Sequence, residues 1–171
     1  HNLEFILIGG WAVYLYAQQL KSKDIDIIIN FDKLSYLNQE YSLTKNERLK
    51  KYEATKGEIQ VDIYLPYYSN LGIPVEELKK QGKEIKGFQV LEINYLFVLK
   101  LYALAQRGRS SKGRKDFLDL ISLWQTGEIE VGSIEEVLKK YNLEKELKTF
   151  ETFINESLEL SELGMSRHQY A

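Results

Sequence analysis

Over the first ninety or so positions, apolar residues come in short runs broken by glycine, proline or charge, and from Asn94 onward they recur at helical spacing. Leu3–Ile8 is one such run, closed by Gly9-Gly10, and predicts a first strand and a tight turn. Trp11–Leu20 is apolar all round and predicts a buried helix. Asp24–Phe31 predicts a second strand, and Ile59–Leu65, stopped by Pro66, another. Between them, the 41–57 segment is rich in Lys, Glu and Tyr and predicts a more exposed strand or hairpin. Glu84–Leu91 reads as a hairpin turning near Gly87.

In the second half, Asn94 is positioned to cap a helix over Tyr95–Arg107, which Gly108 ends. Gly113 precedes a helix over about Lys115–Gln125, and Ser133-Ile134-Glu135-Glu136 has the capping-box pattern that opens another. A last helix is expected over about Leu143–Leu160. Strands crowd the first half and helices the second. The expectation is an α+β protein: a mixed β-sheet core over residues 1–92, with a helical C-terminal part over 93–171 packed on it. The chain shows no internal repeat or linker. It opens at His1, without Met and directly before a strand, so a preceding helix is expected in a longer protein.

Alternation gives the second strand two unlike faces. Asp24, Asp26 and Ile28 point one way, and Ile25, Ile27 and Ile29 point the other, into a core. Asp62 lies in a strand with the same kind of alternation, Val61-Asp62-Ile63-Tyr64. If the two strands are neighbours, three carboxylates converge, which is costly unless a cation neutralises them. An isolated Asp-x-Asp is more often a wet sheet face. Here the chain has nineteen Glu but only six Asp, and three of the six are these. A short carboxylate on a rigid strand suits a metal ion held at fixed geometry.

Composition narrows the chemistry further. The 171 residues are 44% hydrophobic and 28% charged, enough for a real core in a soluble globular protein. A net charge of −2 and a pI near 5.8 give no global case for nucleic-acid binding. No apolar run reaches membrane-spanning length and no secretory pattern opens the chain, which points to the cytoplasm and away from a membrane. There is no Cys, so disulfides, thiolate metal sites and thiol nucleophiles are excluded. The only histidines, His1 and His168, sit at the two termini, which argues against a Ser-His-Asp triad or a histidine metal site. Oxygen ligation favours a hard ion such as Mg²⁺.

Gly9-Gly10, between a strand and a helix, is placed where backbone N–H groups can cradle a phosphate. A double glycine is by itself only a turn; its position one helix before the acidic strand gives it weight. Strand, Gly-Gly, helix, Lys23-Asp24-Ile25-Asp26-Ile27 and a later strand aspartate together resemble the nucleotidyltransferase superfamily with the DNA polymerase β-like core. The resemblance covers about the first 65 residues. It implies that Gly9 and Gly10 contact nucleotide phosphates and that Asp24 and Asp26 bind two Mg²⁺ ions. It also implies that Asp62 joins the ion that activates the acceptor. Ser22, two before the first catalytic Asp, fits the family pattern, whereas the fourth position before it is Leu20 in place of the usual cation.

Between Lys100 and Lys115 stand six basic residues and no acid, with Asp116 and Asp119 following at helical spacing. Viewed alone, such a cluster is as readily a solvated helix end. The stretch from Lys100 to Leu120 resembles a second block of the abortive-infection nucleotidyltransferases of the AbiEii/AbiGii type, extending the likeness to about residue 125. That resemblance implies that Lys100 and Lys115 flank the nucleotide. The leading expectation is Mg²⁺-dependent transfer of a nucleoside monophosphate from an NTP such as ATP to an acceptor hydroxyl, releasing pyrophosphate. The acceptor is left open between tRNA or another RNA, a protein and a small molecule. The alternatives are a catalytically silent module binding nucleotide or protein, with an antitoxin-like partner, and, last, a nuclease using Asp62 with Glu84-Ile85-Lys86.

Overall fold

The computed structural model describes residues 3–157, 159–160 and 163–166, so His1 and His168 lie outside the described residues. The chain divides into two compact units, residues 1–92 and 93–171. The first contains β1 (Ile6–Ile8), α1 (Gly9–Ala17), β2 (Ile25–Ile28), α2 (Leu34–Glu40), β3 (Ser42–Asn46), β4 (Lys51–Lys56), β5 (Ile59–Tyr64), α3 (Val75–Leu78), β6 (Gly82–Ile85) and β7 (Phe88–Leu91). The strands form one mixed sheet in the order β3-β4-β5-β2-β1-β7-β6. Pairing is parallel between β2 and β5 and between β1 and β7, and antiparallel elsewhere. The protein is therefore α+β, as the order of its patterns implied.

Alternation sorts this sheet into two faces. Ile25 and Ile27 of β2, Leu7 of β1, Ala54 of β4 and Val61 of β5 line a cavity of about 350 Å³, together with Trp11 and Leu15 of α1 and Leu37 of α2. The opposite face carries Asp26 and Ile28 on β2 and Asp62 and Tyr64 on β5, register partners in the order written. Sheet edges and turns follow local backbone chemistry. Gly87, at φ +82°, turns the β6–β7 hairpin, and Gly57, at φ +60°, turns β4 into β5. Helix α1 stops at Ala17, three residues earlier than its apolar run, because Gln18 adopts the left-handed conformation at φ +56°. Helices α2 and α3, of seven and four residues, escape the sequence pattern because neither is long enough to show a helical period.

The second unit contains α4 (Ile93–Arg107), α5 (Ser111–Gln125), α6 (Val131–Tyr141), α7 (Glu146–Glu156) and a small pair of strands, β8 (Glu159–Leu160) and β9 (Met165–Ser166). Its caps differ from those expected. Asn94 lies inside α4, and its Oδ1 accepts a hydrogen bond from the Glu130 N–H at 2.9 Å, which ties two segments together. Ser110 caps α5, accepting from the Gly113 N–H at 3.1 Å, so this helix begins before Lys115. Gly113 is a contact glycine: a Cβ there would lie 1.9 Å from the Gly108 carbonyl oxygen. Helix α6 starts at Val131, and the Ser133 hydroxyl donates to Glu130 Oε2 at 3.0 Å without capping the helix. Helix α7 ends at Glu156, so Leu160 belongs to β8.

Buried charge ties α4 to α5. Lys100 Nζ donates to Asp116 Oδ1 at 3.1 Å and lies 2.7 Å from Asp119 Oδ2. Arg107 Nη1 donates to Asp116 Oδ2 at 2.8 Å. Beyond the Lys100 contact, no donor reaches either Asp119 oxygen among the described residues. Burial accordingly pushes the Asp119 carboxyl up from its ordinary range, against the pull of Lys100.

Two outcomes follow for stability. Lys100→Ala leaves buried Asp119 without its cation and Asp116 with Arg107 alone, and should cost about 3–5 kcal/mol in urea denaturation at neutral pH. Because the folded Asp119 holds its proton more tightly than the unfolded one, folding stability falls as pH rises from about 4 through the raised value. Denaturation curves of Asp119→Asn across this range should show a shallower decline than the parent.

Candidate functional site

Strand β1 runs straight into α1, and the joint between them is built around a missing side chain. Gly9 has φ +65°, a conformation that favours glycine, and a Cβ placed there would lie 2.1 Å from Asp26 Oδ2. The Asp26 carboxylate thus occupies the space that a side chain at position 9 would need. The residue before the helix is Ile8, which makes no side-chain cap. The first turn of α1, with its outward N–H groups and the positive end of its dipole, is therefore set beside a carboxylate. Gly10 is buried in the same turn.

Pairing between β2 and β5 then brings in the second acid. In that parallel pair Asp26 is the register partner of Asp62, and on its other side Asp26 partners Ile8 of β1. Asp26 and Asp62 therefore share a face of the sheet on adjacent strands. Asp24 stands in the bend just before β2, half-exposed, two residues ahead of Asp26. The Tyr64 hydroxyl reaches over from β5 to donate to Asp26 Oδ1 at a long 3.4 Å.

Asp62 is 8% exposed and is held from two sides. Lys51 Nζ of β4 donates to its Oδ2, and Gln60 Nε2 donates to Oδ1 at 3.2 Å. The same ammonium lies 3.1 Å from Glu53 Oε1, and Glu53, the register partner of Asp62 across β4–β5, accepts from Asn46 Nδ2 at 3.0 Å. Lys51 itself is 7% exposed, so the 41–57 segment is less open at this point than its composition implied. Burial alone would lower the Lys51 ammonium. The hydrogen bonds and charges of Asp62 and Glu53 outweigh it and raise the group above the ordinary lysine range.

Asp26 supplies a hard oxygen donor beside a helix N-terminus and Asp24 stands two residues ahead of it, a pair whose chemistry would fit one ion of the Mg²⁺ type. Such an ion is commonly held by one or two carboxylates, with substrate phosphate and water completing its shell. Among the described residues, no three acid or imidazole side chains gather closely enough to hold a metal on their own. The Asp62 oxygens face Lys51 and Gln60. Ser22 lies in the irregular segment between α1 and β2 and is half-buried. In the helical unit, Lys100 is engaged by Asp116 and Asp119, and the Lys115 charge acts on Asp119, one helical turn further along α5.

Sequence reasoning passed over Lys51, Glu53 and Gln60, and it gave Tyr64, on the face of Asp62, a packing role where the structure turns its hydroxyl to Asp26. The signal available was the alternation Lys51-x-Glu53-x-Thr55 ahead of Gly57, which places Lys51 and Glu53 on one face of a hairpin with Asp62. What the alternation could not show was that this face is buried.

No protein-family model matches the sequence, and no curated protein matches it either. Among solved structures, the chain is similar to the antibiotic-resistance factor ANT(2'')-Ia, in a crystal structure with adenylyl-2''-tobramycin. The TM-score is 0.60 at 13% identity, over 82% of this chain and 88% of that one. It is also similar to a protein of H. pylori described as a nucleotidyltransferase (TM-score 0.53, 14% identity, over 99% of this chain and 82% of that one). A third neighbour is the Megavirus polyadenylate synthase (TM-score 0.52, 13% identity), of which 29% is covered by 74% of this chain. At such identities the likeness is one of fold: the chain shares the α+β fold of these neighbours, which include a protein described as a nucleotidyltransferase and a polyadenylate synthase.

Proposed function

We propose that this protein transfers a nucleoside monophosphate from an NTP to an acceptor hydroxyl. The observation that carries the reading is the joint at Gly9, where a glycine-opened helix N-terminus meets the Asp26 carboxylate, with Asp62 in register on the next strand. The N–H groups of the first turn of α1 bind phosphate oxygens, beside the Asp26 carboxylate for which Gly9 leaves room. Asp24 and Asp26 would hold a Mg²⁺ ion, which would supply charge neutralisation for the triphosphate. Asp62, with lone pairs remaining on both oxygens, takes the proton of the attacking hydroxyl. The acceptor oxygen bonds to the α-phosphorus as the bond from that phosphorus to the bridging oxygen of pyrophosphate breaks. Tyr64 orients Asp26 through its hydroxyl.

Within this fold we place the chain nearest the abortive-infection type, on the strength of the block from Lys100 to Leu120, whose lysine and aspartates meet in the structure. Its acceptor carries a hydroxyl. The assay that tests the reading incubates the protein with each α-labelled NTP, Mg²⁺ and cell extract fractionated into RNA, protein and small molecules. Label should appear in one fraction with stoichiometric pyrophosphate; label in none of them with any NTP would overturn the reading.

Two substitutions sharpen it. Asp26→Asn should reduce labelling at least about 100-fold, the scale of losing one electrostatic contact in a transition state. The same change should leave the apo protein as stable or slightly more so, because it removes one of two adjacent like charges. Gly9→Ala should displace the Asp26 carboxylate and strain the backbone, lowering stability by about 1–2 kcal/mol while labelling falls to the level of Asp26→Asn. Thermal denaturation beside the labelling assay checks both.

A further inference from the structure

The two in-register carboxylates are treated differently by the fold. Asp26 lies against Gly9 and accepts a long hydrogen bond from Tyr64, and Asp24, two residues ahead, is half-exposed. Asp62 is buried, with Lys51 on Oδ2 and Gln60 on Oδ1, and Lys51 is fixed in turn by Glu53. A divalent cation seated on Asp62 would stand against the Lys51 ammonium, which is buried and held by Glu53. Two cations cannot share that carboxylate at contact distance in a weakly screened place without strong repulsion. A lysine ammonium does for a carboxylate part of what a metal ion does. It cancels the charge and fixes the oxygens, but it leaves the remaining lone pairs available to a proton.

From this geometry we propose that Lys51 is a resident cation standing where a second metal ion would otherwise bind, so that the site loads one divalent ion, on Asp24 and Asp26, and the acceptor side is neutralised by the lysine. The proposal rests on the transferase reading above. Lys51 is a positioning residue here: it touches Asp62 and acts on the acceptor through it. Three features of the fold support it. Lys51 and Glu53 alternate on β4, so both reach the face of Asp62. The turn that begins β4 places Lys50 in the left-handed conformation, with its carbonyl accepting from the Ser69 hydroxyl at 2.5 Å, which anchors the backbone beside Lys51. Finally, Glu53 is the register partner of Asp62, so the acid that holds Lys51 lies directly across from the carboxylate it pairs with.

The test counts ions directly. Mn²⁺ bound per chain is read by electron paramagnetic resonance in the presence of saturating α,β-methylene NTP, for the parent, Lys51→Met, Asp62→Asn and Asp26→Asn. One Mn²⁺ in the parent, one in Asp62→Asn with unchanged affinity, and two in Lys51→Met is the expected pattern. Two ions in the parent, with one lost in Asp62→Asn, would overturn the proposal even if Lys51→Met does not fold. A single ion in a folded Lys51→Met would overturn it too, because the lysine would then not be what excludes the second. A count that Asp26→Asn leaves unchanged would sink the transferase reading itself, and this proposal with it, and is distinguishable from the other outcomes by that variant alone.

Discussion

Like charges set side by side in a sheet are the constraint that the first unit is organised around. Asp26 and Asp62 are register partners on adjacent parallel strands, so their carboxylates lie on one face at the spacing of neighbouring strands. Neither can simply be left there, because a half-buried carboxylate beside another is costly. The fold answers each one separately. Asp26 is met by the N-terminus of α1, which can come close only because Gly9 has no side chain. Asp62 is met by Lys51, which the β4–β5 hairpin delivers from the other side. Remove the glycine or the hairpin register, and one of the two carboxylates loses its compensation.

The same physics has a different outcome in the helical unit. There Lys100 serves two carboxylates, and Asp116 has Arg107 in addition while Asp119 has no further donor among the described residues. Burial pushes the Asp119 carboxyl upward against the pull of Lys100. Lys51 lies at the opposite extreme, where two acids hold one amine and raise it. The number of partners per buried charge decides the direction in both places.

Fold likeness to nucleotidyltransferases at 13 to 14% identity is understandable in these terms. What the shared fold physically requires is small: strands that alternate, helices that keep an apolar stripe, and a strand that turns on glycine into a helix. The remaining positions need only keep alternation and helical period, which many residues satisfy. Little sequence need be shared for the architecture to be.

The alternation of Asp24-Ile25-Asp26-Ile27, the run ended by Gly9-Gly10 and the change of period at Asn94 were sufficient to read an α+β chain, its principal strands and its long helices. They suffice because strand faces and helix stripes are set by side chains two, three and four residues apart. Element ends were read less well. Gln18 stops α1 in a left-handed conformation that its sequence does not announce, and Asn94 and Ser133, both good capping residues, lie inside their helices. Tertiary structure alone decided that Asp26 faces Asp62, that Gly9 is empty because Asp26 fills its space, and that Lys51 is buried on Asp62. Strand order and hairpin register join residues as far apart as Leu7 and Val90, and no local period carries that information. A lysine in a charged hairpin reads as solvated until the sheet shows which face it is on.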